Sequence, residues 1–342
     1  MKVLGIESSC DECAAAVVED GKKILSNVVA TQIPFHEVYN GVVPEIASRM
    51  HTEWISGVVK TALSDAGCTP ADIDAVAATA QPGLLGSLLV GLSFGKAFAY
   101  SLDKPFIAVD HMLAHLYAPM LSETVDYPFL GLLVSGGHSI ICKVDDFDAI
   151  TVLGTTIDDA VGEAFDKVSK FYGFGYPGGV YIDRLAKHGD SGAFRFPLPN
   201  LHKGEHRYDV SYSGLKTAVI NQIEQFRQTD AEGRPAELSP ENIAASFQKT
   251  AIDILLRSLL RAVEDTGLTT IVAGGGVAAN SYLRQCLSER KELHCLFPPL
   301  DLCGDNGAMV AGLGYKYLAR GESSPWSVTA SARVKAFKRR YP

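Results

Sequence analysis

Two histidines are spaced so that they can share one metal ion. His111 and His115 stand four positions apart in the segment DHMLAHLYAPML, residues 110–121. If this segment is a helix, both imidazoles lie on one face, which suits two ligands of a single cation. The alternative is an ordinary polar helix face. A zinc protease needs Glu directly after the first histidine, and Met112 stands there, so proteolysis of that type is disfavoured.

A third metal ligand has to come from another part of the chain. Asp305 is the best candidate, because it is a carboxylate in the glycine-rich turn CGDNG that precedes an apolar helical pattern. Imidazole and carboxylate are both common ligands of divalent metals. The sequence therefore predicts a metal site at His111, His115 and Asp305.

Three glycine-rich turns are candidates for binding a nucleotide or phosphate. They lie at residues 134–138, 176–179 and 273–277. Backbone N–H groups in such turns approach a phosphate closely because glycine has no side chain. Each turn is a weak signal alone, and the three together favour nucleotide binding. Neither GxGxxG after the first strand nor GxxxxGK[ST] occurs, so a Rossmann dehydrogenase or a P-loop enzyme is not expected.

The N-terminal turn ESSCDEC, residues 7–13, contains three acids and two cysteines. Asp11 and Glu12 follow an apolar strand, where a carboxylate can serve as a general base. The alternative is two solvated turn acids. A redox role for the cysteines is disfavoured because acidic neighbours raise a thiol pKa, and no second CxxC completes a zinc site.

The elements that must position these residues alternate along the chain between strand and helix, which predicts an α/β fold. Strands are predicted at 3–6, 14–18, 24–29, 75–80, 106–109, 140–144 and 269–273, and helices at 45–66, 83–102 and 110–121. Residues 4–8 resemble residues 130–135, each being an apolar strand that enters a small-residue turn. This similarity predicts a duplicated domain with two hairpins facing one cleft.

Composition narrows the class of protein. The chain has 342 residues, 47% hydrophobic, with a net charge of −8, which is typical of about two globular domains and excludes a globally basic nucleic-acid clamp. Seven cysteines and no signal peptide favour reduced thiols and a cytoplasmic location. The apolar segment 83–102 contains Lys96 and four glycines, so it is interpreted as a buried helix and no membrane span is expected.

The chain ends in a basic tail with the residues Arg333, Lys335, Lys338, Arg339 and Arg340. One interpretation is a solvated chain end, and another is a tether for a polyanion such as RNA. A third is that the tail packs on the N-terminal lobe or on a partner.

Ten motifs carry a resemblance to a known family. They are GIESSCDE (5–12), YNGVVPEIASRMH (39–51), PGLLGSLLVGLSFGKA (82–97), DHMLAHLYAPML (110–121), VSGGHS (134–139), DDAVGEAFDKVSK (158–170), YPGG (176–179), SYSGLKTAV (211–219), GGGVAANSYLR (274–284) and DNGAMVA (305–311). In order and spacing they resemble the TsaD family, the tRNA N6-adenosine threonylcarbamoyltransferases formerly named O-sialoglycoprotein endopeptidases. The chain departs from the family pattern at Cys13, where Thr is usual, so a hydroxyl is missing near the turn that the resemblance implies for phosphate binding.

The resemblance implies a fold of the actin/Hsp70/sugar-kinase superfamily, with two ribonuclease-H-like lobes around a central cleft. The N-terminal lobe would be 1–125 and the C-terminal lobe 126–342, with a helical insertion at about 195–240. It also implies a metal on His111, His115 and Asp305, with iron(II) favoured and zinc as the alternative.

The resemblance further implies the reaction and its site. The threonylcarbamoyl group would pass from threonylcarbamoyl-adenylate to the exocyclic amine of the adenosine next to the anticodon, in tRNAs reading codons that start with A. Glu12, with Asp11, would lie near the reacting centre. The residues implied for the donor are Val134, Ser135, Gly136, Gly137, His138, Asp166, Gly179, Asp183 and Asn280.

The implied partners are tRNA, the enzyme that makes the adenylate, a paralogous TsaB-type subunit and a small TsaE-type ATPase. One competing interpretation is a carbamoyltransferase of the same fold that acts on a small molecule or protein. Such enzymes usually carry extra domains, for which 342 residues leave no room. The other is a non-catalytic paralogous subunit, which would not need the two histidines and the aspartate.

Overall fold

The computed structural model describes residues 1–39, 41–201 and 204–333. These residues form two compact units. Unit 1 comprises Met1–Tyr127, Asp145–Ile150 and residues 298–333, and unit 2 comprises Pro128–Val144 and Thr151–Phe297. Among these residues, the helix nearest the C-terminus, Gly307–Ala319, belongs to unit 1, whereas the family resemblance placed residues 126–342 in the C-terminal lobe.

The described residues contain ten strands and ten α-helices, which confirms the predicted α/β class. The strands are β1 (Lys2–Glu7), β2 (Glu12–Glu19), β3 (Lys23–Thr31), β4 (Ala75–Gln81), β5 (Phe106–Asp110), β6 (Phe129–Val134), β7 (Ser139–Asp146), β8 (Ala149–Thr155), β9 (Thr270–Gly274) and β10 (His294–Leu296). The α-helices are α1 (Ile33–Glu37), α2 (Pro44–Asp65), α3 (Leu85–Ser101), α4 (His111–Tyr117), α5 (Val161–Tyr172), α6 (Gly178–Ala186), α7 (Ser213–Asn221), α8 (Pro240–Thr266), α9 (Ser281–Ser288) and α10 (Gly307–Ala319).

Unit 1 contains a five-stranded sheet in the order β3-β2-β1-β4-β5. Strands β1, β2 and β3 form an antiparallel meander, and β4 and β5 continue parallel to β1. Leu4 and Ile6 pack in one apolar cluster with residues of α2 and α3. Gly5, between them, approaches α10, where an added Cβ would lie 2.5 Å from the amide nitrogen of Ala311. Both faces of β1 are therefore covered, which explains its continuous apolar run.

Unit 2 repeats this topology. Its sheet has the order β8-β7-β6-β9-β10, in which β6 pairs antiparallel with β7 and parallel with β9. Strand β10 then pairs parallel with β9. The matching order of the two sheets supports the internal repeat predicted from residues 4–8 and 130–135.

The insertion predicted at 195–240 is less helical than expected. Its described part contains one α-helix, α7, together with single 3₁₀ turns at Gly204–His206 and Ile223–Phe226. Charged and helix-breaking residues in this stretch favour turns over long helices. The region is followed by α8, the 27-residue helix whose N-terminus is capped by Ser239.

The segment after α10 packs within unit 1. The amide of Ser324 donates to the carbonyl of Phe106 (2.8 Å), and the amide of Ser331 donates to the carbonyl of Ala80 (2.9 Å). Of the basic tail, only Arg333 is described, and Lys335, Lys338, Arg339 and Arg340 lie outside the described residues. Within the described part of the chain, no helix is long and apolar enough to cross a membrane.

Candidate metal and donor sites

The junction of β5 and α4 presents the two histidines. Asp110 ends β5 and caps α4, because its Oδ1 accepts hydrogen bonds from the amides of Met112 (2.9 Å) and Leu113 (3.3 Å). The cap starts the helix directly at His111, so His111 and His115 share one face with ring centroids 4.5 Å apart. The α-helix ends at Tyr117 and a 3₁₀ turn continues to Leu121, where one helix was predicted.

Asp305 lies 190 positions after His115 in the sequence but contacts both histidines. It precedes α10, whose N-terminus is capped by Asn306 through a 3.0 Å bond from the amide of Met309. Oδ1 of Asp305 lies 3.0 Å from Nε2 of His115 and 3.6 Å from Nε2 of His111. One ligand atom from each of the three residues lies within 4.8 Å of the others. The structure thus brings together the three side chains named from the sequence.

A fourth residue, Glu7, was not identified from the sequence. It ends β1, is fully buried, and its Oε2 lies 3.0 Å from Nδ1 of His111. The same carboxylate accepts hydrogen bonds from the hydroxyl of Thr79 (2.6 Å) and the amide of Ser9 (2.5 Å). The available signal was an acid at the end of a buried apolar strand, where an unpartnered charge is not tolerated.

The carboxylates determine the electrostatics of this group. Burial alone would lower the pKa of His111, but the charges of Asp305 and Glu7 outweigh it and raise this pKa to about 9. Burial would raise the pKa of Asp305, but His111 and His115 hold it well below its usual range. The imidazole of His111 thus lies between two carboxylates, which favour its protonated, cationic form.

The ligand atoms of these three side chains fit a divalent transition metal. Two imidazoles and one carboxylate form the ligand set of non-haem iron sites, and zinc binds the same atom types. His115 is 1% exposed and His111 12% exposed at the side chain, whereas Asp305 is 20% exposed. The group is therefore largely shielded from water but reachable from the side of Asp305.

Glu12 and Asp11 are not solvated turn acids. Glu12 begins β2, and its Oε1 accepts a 2.9 Å hydrogen bond from the hydroxyl of Thr31. Its Oε2 is buried and has no hydrogen-bond partner within the described part of the chain. Burial, with the negative charges of Asp11 and Asp305, raises the pKa of Glu12 to about 8. Burial also raises the pKa of Asp11.

The cysteines of this turn are not activated thiols. Burial raises the pKa of Cys13 to about 12, and burial together with the charge of Asp11 raises that of Cys10 above its usual range. Neither is in a disulfide. Both shifts disfavour the thiolate form, in the direction expected from the acidic neighbours.

In unit 2, the turn after β6 is held by two internal hydrogen bonds, and its two glycines have open space beside them. The amide of Ser135 donates to the carbonyl of His138 (2.8 Å), and the amide of His138 donates to Oγ of Ser135 (3.1 Å). A Cβ added at Gly136 or Gly137 would meet nothing within 4 Å. Val134 is fully buried at the end of the strand and anchors the turn.

Two further glycines pack against this turn. A Cβ at Gly162, in the first turn of α5, would lie 2.6 Å from the carbonyl oxygen of Ser135. Gly275, in the turn after β9, has φ +92°, and a Cβ there would run into the carbonyl of Val134. Glycine is thus required where the two turns and α5 meet.

Two other residues that the resemblance implies for binding the donor accept hydrogen bonds from the first residues of helices. Oδ1 of Asp166 accepts from the amide of Gly178 (2.7 Å) at the start of α6. Oδ1 of Asp183 accepts from the hydroxyl of Ser281 (2.7 Å) at the start of α9. Beside Gly178, an added Cβ on Gly179 would meet nothing within 4 Å.

Asn280 caps α9 and is itself held by a residue that sequence reasoning missed. Its Oδ1 accepts from the amide of Leu283 (3.0 Å), and its Nδ2 donates to Oε1 of the buried Gln248 (2.8 Å). Gln248 lies on α8, and nothing in its local sequence distinguishes it from other helix positions. The predicted donor residues therefore lie at the end of β6 and in the turn after it, within α5 (Asp166), in α6 (Gly179 and Asp183) and at the N-cap of α9 (Asn280).

Comparison with solved structures shows the fold. HypF of T. kodakarensis has a TM-score of 0.61 at 15% identity, over 93% of this chain and 48% of that chain. This chain thus spans about half the length of that HypF. Component A of the (R)-2-hydroxyglutaryl-CoA dehydratase of Acidaminococcus fermentans has a TM-score of 0.53 at 15% identity, over 93% and 99% of the two chains.

Comparison of sequences shows the family. The family model of TsaD, described as tRNA N6-adenosine threonylcarbamoyltransferase, matches residues 23–312. A relative of the same name from Treponema denticola is 68% identical over 99% of both chains. Another from Treponema pallidum is 57% identical over 99% of this chain and 95% of its own, and one from Borreliella burgdorferi is 52% identical over 100% and 96%. The chain belongs to the TsaD family of tRNA N6-adenosine threonylcarbamoyltransferases.

Proposed function

We propose that this chain transfers the threonylcarbamoyl group from threonylcarbamoyl-adenylate to the exocyclic amine of an adenosine in tRNA. The target is the adenosine next to the anticodon in tRNAs that read codons starting with A. The observation that carries this proposal is similarity over nearly the full chain to relatives named for this transfer. The same similarity disfavours a carbamoyltransferase with another acceptor.

His111, His115 and Asp305 bind one divalent cation in this proposal, with iron(II) as the expected metal and zinc as the alternative. The support is the mutual reach of their ligand atoms, within 4.8 Å. A cation held by these residues would act as a Lewis acid.

The turn 135–138 and the N-termini of α6 and α9 bind the adenylate. Support comes from the open faces of Gly136, Gly137 and Gly179, which let backbone amides approach a phosphate. Asp166, Asp183 and Asn280 each accept a hydrogen bond from the N-terminus of α6 or α9. They are proposed to hold these N-termini in the conformation that receives the donor.

The chemistry requires an activated donor and a proton acceptor. The adenine amine is a weak nucleophile because its lone pair is delocalised into the ring. The amine nitrogen attacks the carbamoyl carbon, the bond to the phosphate oxygen breaks, AMP leaves, and the nitrogen loses a proton. We assign Glu12 as the acceptor of that proton and Asp11 as its neighbour in the reacting region. A half-buried carboxylate with a pKa of about 8 supports this role.

The partners and location are also part of the proposal. The chain is proposed to act in the cytoplasm with a TsaB-type paralogous subunit, a TsaE-type ATPase and the enzyme that makes the adenylate. Family membership supports this assignment. The net charge of −8 supports partner-assisted tRNA binding, because long-range attraction to RNA does not follow from an acidic chain.

Transfer of labelled threonylcarbamoyl from its adenylate to unmodified tRNA tests the proposal. We expect label in tRNA with the partner proteins present, recovered as one modified adenosine after nuclease digestion. The double variant His111→Ala/His115→Ala should abolish transfer, while His188→Ala, an exposed histidine of unit 2, should not. Label in a small molecule or a protein, with none in tRNA, would contradict the proposal.

A further inference from the structure

The two histidines of the proposed metal site differ in what holds their second ring nitrogen. Nδ1 of His111 lies 3.0 Å from Oε2 of Glu7. Nδ1 of His115 is buried and has no hydrogen-bond partner in the part of the chain that the structure describes. Both Nε2 atoms face the same oxygen, Oδ1 of Asp305. Only His111 therefore has a carboxylate behind it.

The contact with Glu7 decides which nitrogen of His111 carries the proton. An ionised carboxylate can only accept hydrogen bonds, so a 3.0 Å contact requires a proton on Nδ1. The lone pair of the neutral ring is then on Nε2, which faces Asp305. Oγ of Ser9 also lies 3.2 Å from Nδ1, but a hydroxyl both donates and accepts and does not select a tautomer.

Glu7 cannot turn away from His111. Its Oε2 also accepts from the hydroxyl of Thr79 (2.6 Å), and its Oε1 accepts from the amide of Ser9 (2.5 Å). Strand β1, which it ends, pairs in register with β4, which carries Thr79. Three donors thus converge on one carboxylate with no exposed surface. A glutamine would turn an N–H group toward at least one of those donors.

We propose that Glu7 is a positioning residue for metal binding, which holds His111 in the Nδ1–H tautomer so that Nε2 is the metal-binding atom. This inference rests on the proposed metal site. It differs from that proposal because Glu7 acts through His111 and contacts no metal itself. Carboxylates behind a histidine ligand typically strengthen metal affinity by about 10- to 100-fold.

The test is zinc titration of metal-free protein by calorimetry, with the cobalt(II) absorption spectrum as a second readout. We expect Glu7→Gln to raise the zinc dissociation constant about 10- to 100-fold and to change the cobalt spectrum. In a His111→Ala background, Glu7→Gln should have no further effect, because the residue it positions is missing.

The matched control is Asp209→Asn in unit 2. Asp209 is also a buried carboxylate in contact with a histidine, His206, at 2.8 Å from Nδ1, but it lies outside the proposed metal site. We expect this variant to keep the zinc affinity of the wild type. If Glu7→Gln does not fold, judged by circular dichroism, Glu7→Asp replaces it, because the shorter side chain keeps the charge but withdraws from Nδ1.

The outcomes separate the two proposals. A wild-type protein that binds neither zinc nor cobalt would overturn the metal site itself. Wild-type affinity and an unchanged cobalt spectrum in a folded Glu7 variant would overturn only the role of Glu7. An equal loss of affinity with and without His111 would also overturn it, because Glu7 would then act as a distant charge.

Discussion

His115 Nε2 lies 3.0 Å from Oδ1 of Asp305, although 190 positions separate the two residues in the chain. The contact depends on two helix N-termini, one capped by Asp110 and the other by Asn306. It also depends on the close approach of α10 to β2, where a Cβ on Gly307 would lie 2.5 Å from the amide nitrogen of Ala16. Asp305 and the two histidines are thus positioned by the packing of α10 on the sheet of unit 1.

Removing both imidazoles should remove the metal and leave the fold. We expect His111→Ala/His115→Ala to bind less than about one tenth of the wild-type metal, because a lone carboxylate is a weak site for a transition metal. Metal content is measured by elemental analysis, and the fold by circular dichroism. His188→Ala serves as control. Full metal occupancy in the double variant would exclude these residues as ligands.

The sequence was sufficient to predict the histidine pair and the strands near it, because both depend on local spacing. A spacing of four residues places two rings on one face of any α-helix. Asp305 was found through its glycine-rich turn and not through any spacing to the histidines. Glu7 was missed because it lies 104 positions from His111, and the pairing of β1 with β4 and of β4 with β5 brings the two residues together.

Predictions of helix extent were less accurate where side-chain contacts determine the ends. The helix expected over 110–121 changes to a 3₁₀ turn after Tyr117, where Pro119 provides no amide hydrogen for a helical bond. The insertion at about 195–240 has one α-helix in its described part. The link between Asn280 and Gln248 joins α9 to α8 and leaves no local pattern in the sequence.

Substitution of two glycines of unit 2 should have different effects, one on the KM for the adenylate and the other on stability. Gly137→Val should leave the midpoint of thermal unfolding unchanged, because a Cβ there meets nothing within 4 Å, and should raise the KM for the adenylate about tenfold or more. Gly178→Ala should destabilise the protein by roughly 1–3 kcal/mol, because its Cβ would lie 2.6 Å from the carbonyl oxygen of Phe165. Unfolding curves and initial rates measure the two effects.

Unchanged KM in Gly137→Val would show that the donor does not approach this turn. Reduced stability in that variant would show that the turn is packed by part of the protein and is not open to a ligand.

The contact of β1 with α10 should be intolerant of a single methyl group. We expect Gly5→Ala to destabilise unit 1 by more than about 2 kcal/mol, because the new Cβ meets backbone atoms of Gly307 and Ala311 that cannot withdraw. Gly57→Ala in α2 is the matched control. Its Cβ meets nothing within 4 Å, so the change should stabilise by about 0.5–1 kcal/mol. Urea titrations followed by circular dichroism measure both.

The raised pKa of Glu12 predicts a pH-dependent loss of stability in metal-free protein. Its ordinary pKa is about 4.5 and burial raises it to about 8 in the folded chain, so between these values only the unfolded chain releases the proton. Rising pH therefore favours unfolding, by up to about 1.4 kcal/mol per pH unit.

The variant Glu12→Gln lacks this titratable proton. Its free energy of unfolding should rise by roughly 1–3 kcal/mol relative to that of the wild type between pH 5 and pH 7.5. Below pH 4.5 the difference should be constant, because Glu12 is protonated in both states. Glu53→Gln, which removes an exposed acid of α2, is the control and should track the wild type. A difference between Glu12→Gln and wild type that does not change with pH would mean that Glu12 ionises in the folded protein as it does in water, and its assignment as the proton acceptor would lose its support.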